Sequence, residues 1–122
     1  KAIRRQRQMC IRDRNSSFIL LESNYDPEIL KYSTYPYSLK QRIAGPNGHL
    51  SNILAGQTIS YLLQSGLKSV MLGHLSKENN FPELAYKTVM NELIENNKDF
   101  DSCSFSLSIA KRYEPSSIIE LA

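Results

Sequence analysis

The stretch "LKSVMLGHL", residues 67–75, decides the fold class of this chain. It is short and apolar, and it lacks the strict alternation of a strand with one face in water. That pattern predicts a strand covered on both faces. It ends at a glycine-flanked histidine, His74. Before it, "SNILAGQTISYLLQ" (51–64) sets Ile53, Leu54, Ile59, Leu62 and Leu63 at a partly amphipathic helical spacing, with Ser51 or Asn52 as cap and Gly66 as stop. After it, "NFPELAYKTVMNELIENN" (80–97) predicts a helix opened by Pro82 and ended at Asn96 and Asn97. Its apolar face is Leu84, Ala85, Thr88, Val89, Leu93 and Ile94. Helix, covered strand and helix together imply an α/β layer.

Working outward, "SSFILLESN" (16–24) predicts a short buried strand over Phe18–Leu21, whose carboxyl end delivers Glu22, Ser23 and Asn24 to an edge or pocket. Asp26 then caps a helix with Pro27 in its first position. "YPYSLKQRIAG" (35–45) predicts another short helix, ending at Gly45 in the turn sequence "GPNG". Near the end, "SCSFSLSIAKRY" (102–113) alternates, which predicts a half-buried strand with Cys103, Phe105, Leu107 and Ile109 on the inner side. "SSIIEL" (116–121) suggests a last strand. The pattern suits part of a larger sandwich better than a complete domain.

The chain has 122 residues, the length of one modest domain. No apolar run approaches the roughly 18 residues of a membrane helix. The basic start is not followed by an apolar segment, so no secretory signal is expected. Cys10 and Cys103 form no C-x-x-C pair and are expected to be reduced thiols in the cytoplasm. The net charge of +3 hides an asymmetry. Residues 1–14 hold six basic side chains against one acidic, a net +5, and the remainder is −2. That segment, "KAIRRQRQMCIRDR", contains "RQMCIRDR", which resembles translated sequencing-adapter sequence found at the ends of unrelated proteins. Residues 1–14 are therefore expected to be artefactual or disordered, with the domain occupying 15–122. An alternative keeps them as a basic arm on a small, non-enzymatic α/β module that binds nucleic acid.

The two histidines, His49 and His74, both sit in the phrase Gly-His-Leu-Ser. The contexts differ, so this is not a structural repeat. His74 ends a strand, where α/β proteins place ligand-binding groups, and imidazole is a common transition-metal ligand. His49 precedes a helix N-terminus, where free N–H groups favour an anion. Glu22 ends the other strand and could lie beside either ring, orienting it for proton transfer. Two histidines and a carboxylate do not complete a usual metal site. Each also has a plainer reading as a loop or cap residue. Tyr25, Tyr32, Tyr35 and Tyr37 either stack on bases or, more simply, pack a loop.

"ILLESNYDPEILKYSTYPYSLKQRIAGPNGHLSN" (19–52) followed by "LGHLSKENNFPELA" (72–85) resembles the YycJ/WalJ (VicX) family of metallo-β-lactamase-fold hydrolases. The likeness runs from about Ser17 to the C-terminus. It implies the C-terminal part of an αββα sandwich, incomplete here, from a metal-dependent phosphodiesterase of the 5′–3′ DNA exonuclease type. It implies His74 as a metal ligand. It implies His49 as the histidine that contacts the scissile phosphate and helps protonate the leaving group, with Glu22 as its partner. Ser51 and Asn52 would line the phosphate site, and Asn79 and Asn80 would support the metal loop. The whole parent would hold two divalent ions, zinc or manganese, and act on DNA in the cytoplasm, with no membrane partner. The departures are large. The His-x-His-x-Asp-His ligand motif is absent, as are the next histidine and bridging aspartate expected before Ser16. Tyr25 stands where the family leads one to expect His, and Ile53–Leu54 where an acidic pair is usual. The chain alone is expected to hold no two-metal centre and to be inactive.

Overall fold

The structure, a computed structural model, describes residues 18–110. The segments 1–14 and "SSIIEL" lie outside the described residues. Three parallel strands form one sheet in the order β1 (Phe18–Glu22), β2 (Ser69–Gly73), β3 (Ser106–Ile109). Between β1 and β2 lie α1 (Pro27–Lys31), α2 (Tyr37–Ala44) and α3 (Asn52–Leu62), the last followed by a 3-10 turn, Leu63–Ser65. α4 (Pro82–Asn96) connects β2 to β3. Parallel neighbours need such crossovers, and the helices supply them.

Strand register fixes the core. Ile19 pairs with Val70 and Val70 with Leu107; one step of two along, Leu21 pairs with Leu72 and Leu72 with Ile109. Because side chains alternate, these six share one face of the sheet. α3 and α4 cover that face through Ala55, Ile59 and Leu62 and through Ala85, Val89 and Leu93, all buried. The two helices approach closely at Gly56, where a Cβ would fall 2.6 Å from that of Glu92.

Among the described residues, no helix lies on the opposite sheet face. Leu20 is 55% exposed there, so β1 is buried on one side only, contrary to the sequence expectation. Ile53 and Ile94, placed on apolar helix faces by their spacing, are also exposed. Each lies at the margin of a stripe whose centre already fills the contact with the sheet. The last strand is shorter than its alternation suggests. Asp101 captures the chain in a turn instead: its Oδ1 accepts the Cys103 N–H at 2.9 Å, and its carbonyl accepts the Ser104 N–H at 3.1 Å. Cys103 is therefore exposed in a turn and not on the inner side of a strand. Among the described residues, no helix is long and apolar enough to cross a membrane.

The predicted caps form. Asp26 Oδ2 accepts the N–H groups of Glu28 and Ile29, both at 3.1 Å. Ser51 Oγ accepts the Leu54 N–H at 3.1 Å and starts α3. Of the four tyrosines between residues 25 and 37, Tyr25 packs inside, whereas Tyr32 and Tyr37 are 75% and 74% exposed.

Candidate active site

Parallel strands expose all their carboxyl ends at one edge, and the site is built there. β1 ends at Glu22 and β2 ends at Gly73, directly opposite each other in register. Each chain then turns away from the sheet. The Ser23 N–H bonds the Gly73 carbonyl at 3.0 Å, and the Asn24 N–H bonds the Leu50 carbonyl at 2.8 Å. The second bond brings the loop carrying His49 alongside β1.

Three side chains meet at this edge. Glu22 Oε2 lies 2.5 Å from His49 Nδ1 and 2.8 Å from His74 Nδ1. Glu22 Oε1 accepts the Leu50 N–H at 3.2 Å. The two rings stand edge-on with centroids 5.1 Å apart. One ligand atom from each residue falls within a 4.8 Å cluster. The Glu22 side chain is 10% exposed, His49 40% and His74 68%. An ionised carboxylate only accepts hydrogen bonds, so this pattern assigns the proton of each neutral ring to Nδ1. The lone pairs then sit on the two Nε2 atoms, away from Glu22. A carboxylate holding Nδ1 while Nε2 stays open is the arrangement that orients an imidazole for a metal ion or for proton transfer.

His74 has a backbone φ of 58°, the one positive value on a non-glycine residue among those described. Such left-handed residues carry strain and persist where surroundings hold them. Here Asn24 Nδ2 donates to the His74 carbonyl at 2.7 Å, and the Asn24 carbonyl accepts the Ser76 N–H at 2.7 Å. His49 is set by its neighbour. Gly48 closes over the end of α2, where a Cβ would fall 2.2 Å from the Ile43 carbonyl oxygen. The His49 N–H bonds that same oxygen at 2.9 Å.

The four weaker sequence candidates lie under the site and not at its surface. Ser51 is 3% exposed and its hydroxyl is engaged as the α3 cap. Asn52 is fully buried: its Oδ1 accepts Ser23 Oγ at 2.5 Å, and its Nδ2 donates to Asn80 Oδ1 at 2.9 Å. Asn80 Nδ2 donates to the Ser23 carbonyl at 3.0 Å. Asn79 is 2% exposed; its carbonyl accepts the Asp26 N–H at 2.9 Å, and its buried Oδ1 has no partner. The Ser23–Asn52–Asn80 network thus ties the turn after β1 to the start of α3 and to the approach to α4. Ser23 and Asn24 carry much of this and were legible in sequence only as residues following an apolar run.

Tyr25 lies against the same edge. Burial, with the Glu22 carboxylate nearby, raises its phenol above the usual value. A groove of about 470 Å³, lined by Leu63, Leu67, Lys68, Asn97, Phe100 and Phe105, opens at the other end of the sheet. Its lining includes Lys68, Lys98, Asp99 and Asp101 but no histidine, and it lies toward the amino ends of β2 and β3. Strand polarity and the clustered imidazoles favour the carboxyl edge as the chemical site.

The chain is 44% identical over 81 residues to proteins named exodeoxyribonuclease WalJ in two strains of Streptococcus pneumoniae. It is 35% identical over 82 residues to one named exodeoxyribonuclease YycJ in Bacillus anthracis. This chain is YycJ/WalJ-like. These matches cover 66% and 67% of the chain but only 30% and 31% of the relatives, so the YycJ/WalJ-like segment spans under a third of their length. No family model matches the chain. No solved structure matches it.

Proposed function

We propose that this chain is the C-terminal part of a metal-dependent DNA exonuclease with a metallo-β-lactamase αββα sandwich, and that it does not hydrolyse DNA alone. The observation that carries the reading is the convergence of His49 and His74 on one oxygen of Glu22, at the strand edge where α/β proteins do their chemistry. The relatives' names supply the substrate class, DNA, and the 5′–3′ polarity follows from the family resemblance.

The donor set fits part of a divalent-metal site. Two imidazoles with open Nε2 atoms suit zinc or manganese, but catalytic centres use three protein ligands at least. With Glu22 engaged as the orienting carboxylate, this chain supplies fewer. Bound divalent ions would contribute Lewis acidity toward the phosphate. His74 would be the ligand this chain offers. His49, held by Glu22, would be a proton donor to the departing oxygen, with the carboxylate fixing the orientation of the ring. Ser51, Asn52 and Asn80 hold these groups in place by their buried bonds, and Asn79 anchors the loop through its backbone. A cytoplasmic location belongs to the same proposal.

The test uses linear 5′-phosphorylated DNA with Mn²⁺ or Zn²⁺. This chain is expected to leave the DNA intact, and a longer protein containing the segment is expected to degrade it. In that protein His49→Ala should slow hydrolysis by about 10²- to 10⁴-fold. Glu22→Gln should reduce metal affinity or activity by about 10- to 100-fold. Hydrolysis by the short chain, or an unaffected His74→Ala variant of the longer one, would overturn the proposal.

A further inference from the structure

We propose that the α1–α2 arm is a stacking platform for single-stranded DNA, leading the strand toward His49. The choice of DNA rests on the nuclease reading above; the platform itself rests on separate observations.

The first is composition. From Ile29 to Lys77 the chain carries Lys31, Lys40, Arg42, Lys68 and Lys77 and no Asp or Glu; Glu28, in the first turn of α1, and its cap Asp26 are the carboxylates of the arm. Outside residues 1–14 the chain has an excess of acidic residues, so this stretch is a local reversal of sign. Three of its five cations lie on the arm.

The second is exposure. α2 buries no residue at all. Tyr32 and Tyr37 present most of their surface to solvent. Single exposed aromatics are unremarkable, but these two form part of one surface. Lys31 Nζ lies 5.3 Å from the centroid of the Tyr32 ring. Lys40 Nζ reaches across from α2 and donates to the Lys31 carbonyl at 2.8 Å. Tyr37 lies one turn before Lys40 and Gln41, on the same flank of α2. Gln41 Nε2 donates to the Tyr37 hydroxyl at 3.1 Å, which steadies the ring. The patch therefore runs Tyr32, Lys31, Lys40, Tyr37, with Glu28 one turn before Lys31 and Tyr32 at its α1 end.

The third is connection. The last turn of α2 supplies the Ile43 carbonyl that fixes the His49 backbone. A strand lying on the arm would meet phosphate-binding cations and flat aromatic faces, then the imidazole edge. Cations alternating with exposed rings are what single-stranded nucleic acid recognises: phosphates pair with the cations, and bases stack on the rings whatever their sequence. Double-stranded DNA offers no open base faces for that contact.

The test measures binding of the full chain to a short labelled oligothymidylate by fluorescence anisotropy at fixed salt. Residues 1–14 add the same electrostatic background to every variant, so differences between variants report the arm. Tyr32→Ala and Tyr37→Ala are each expected to weaken binding roughly 5- to 150-fold. Tyr37→Phe, which keeps the ring, should bind close to the unaltered chain. Lys87→Ala on α4, a charge change away from the arm, should do little. Both tyrosines are exposed, so folding is expected to survive. Alanine variants that bind oligothymidylate normally would overturn the platform. So would a Phe variant as weak as Ala, or equal losses toward inorganic polyphosphate, which has no bases. If the hydrolysis assay fails while the tyrosine variants lose affinity, the platform stands as a nucleic-acid surface without the nuclease. If hydrolysis is found and the tyrosine variants bind normally, the platform alone falls.

Discussion

Asn24 donates its Nδ2 to the carbonyl oxygen of His74 across 2.7 Å, although the two residues are 50 positions apart. The bond joins the turn after β1 to the turn after β2. It also fixes His74 in a left-handed backbone that an L-residue adopts only under restraint. Asn24→Ala should therefore release the loop. We expect a loss of about 1–3 kcal/mol in denaturant unfolding and faster amide exchange over residues 74–77. Unchanged exchange there would show that the carbonyl is held by something else.

Asn52 separates two readings of its role. As a buried link between Ser23 and Asn80, its replacement by Ala strands polar groups of both partners. The expected cost is about 2–3 kcal/mol of folding stability. A residue serving only to bind phosphate would instead cost DNA affinity and leave stability intact. Thermal unfolding and DNA titration of one variant distinguish the two.

Gly48 is the narrowest backbone passage in the site. A methyl group there meets the carbonyl oxygens of Ile43 and Arg42 at 2.2 and 2.3 Å. Gly48→Ala should force the loop off the end of α2 and lower stability by about 1–3 kcal/mol. It should also separate His49 from Glu22, seen as altered imidazole resonances in NMR. A variant with wild-type stability and an unshifted His49 would show that the loop tolerates the displacement.

Tyr25 gives a pH signature. Its folded-state value is raised by burial first and by Glu22 second, so the folded protein holds the phenolic proton more tightly than the unfolded chain does. The contribution is full below the unfolded value of about 10 and is lost as pH rises through the folded value. Unfolding free energy should fall on the alkaline side. Tyr25→Phe should flatten that fall, with lysine titration common to both proteins. An identical alkaline slope in the two would count against the shift.

Much of the arm and sheet was readable without coordinates. Asp26, Pro27 and Ser51 announce their helix starts because capping depends on residues two or three positions away. The Val89–Leu93 face reports burial directly, whereas β2, expected to be covered on both faces, buries Val70 and Leu72 on the helix side and leaves Met71 on the other side only half-buried. The β3 boundary was not readable, because the Asp101 turn competes with strand alternation and wins by hydrogen bonds that periodicity does not reveal. Nor was the exposure of Leu20 among the described residues: an apolar run is silent about which side is covered.

By itself, the sequence determined the element types, the polarity of the chain through them and the candidates Glu22, His49 and His74. Those follow from local spacing and from side-chain chemistry. Only the tertiary structure decided that the three meet. Their contact depends on the parallel register that sets Glu22 opposite Gly73, and on the loop bonds that carry His49 back 27 positions to the same carboxylate oxygen. It also decided that Ser51 and Asn52 face inward, because burial is a property of the packed layers and not of any short stretch of chain.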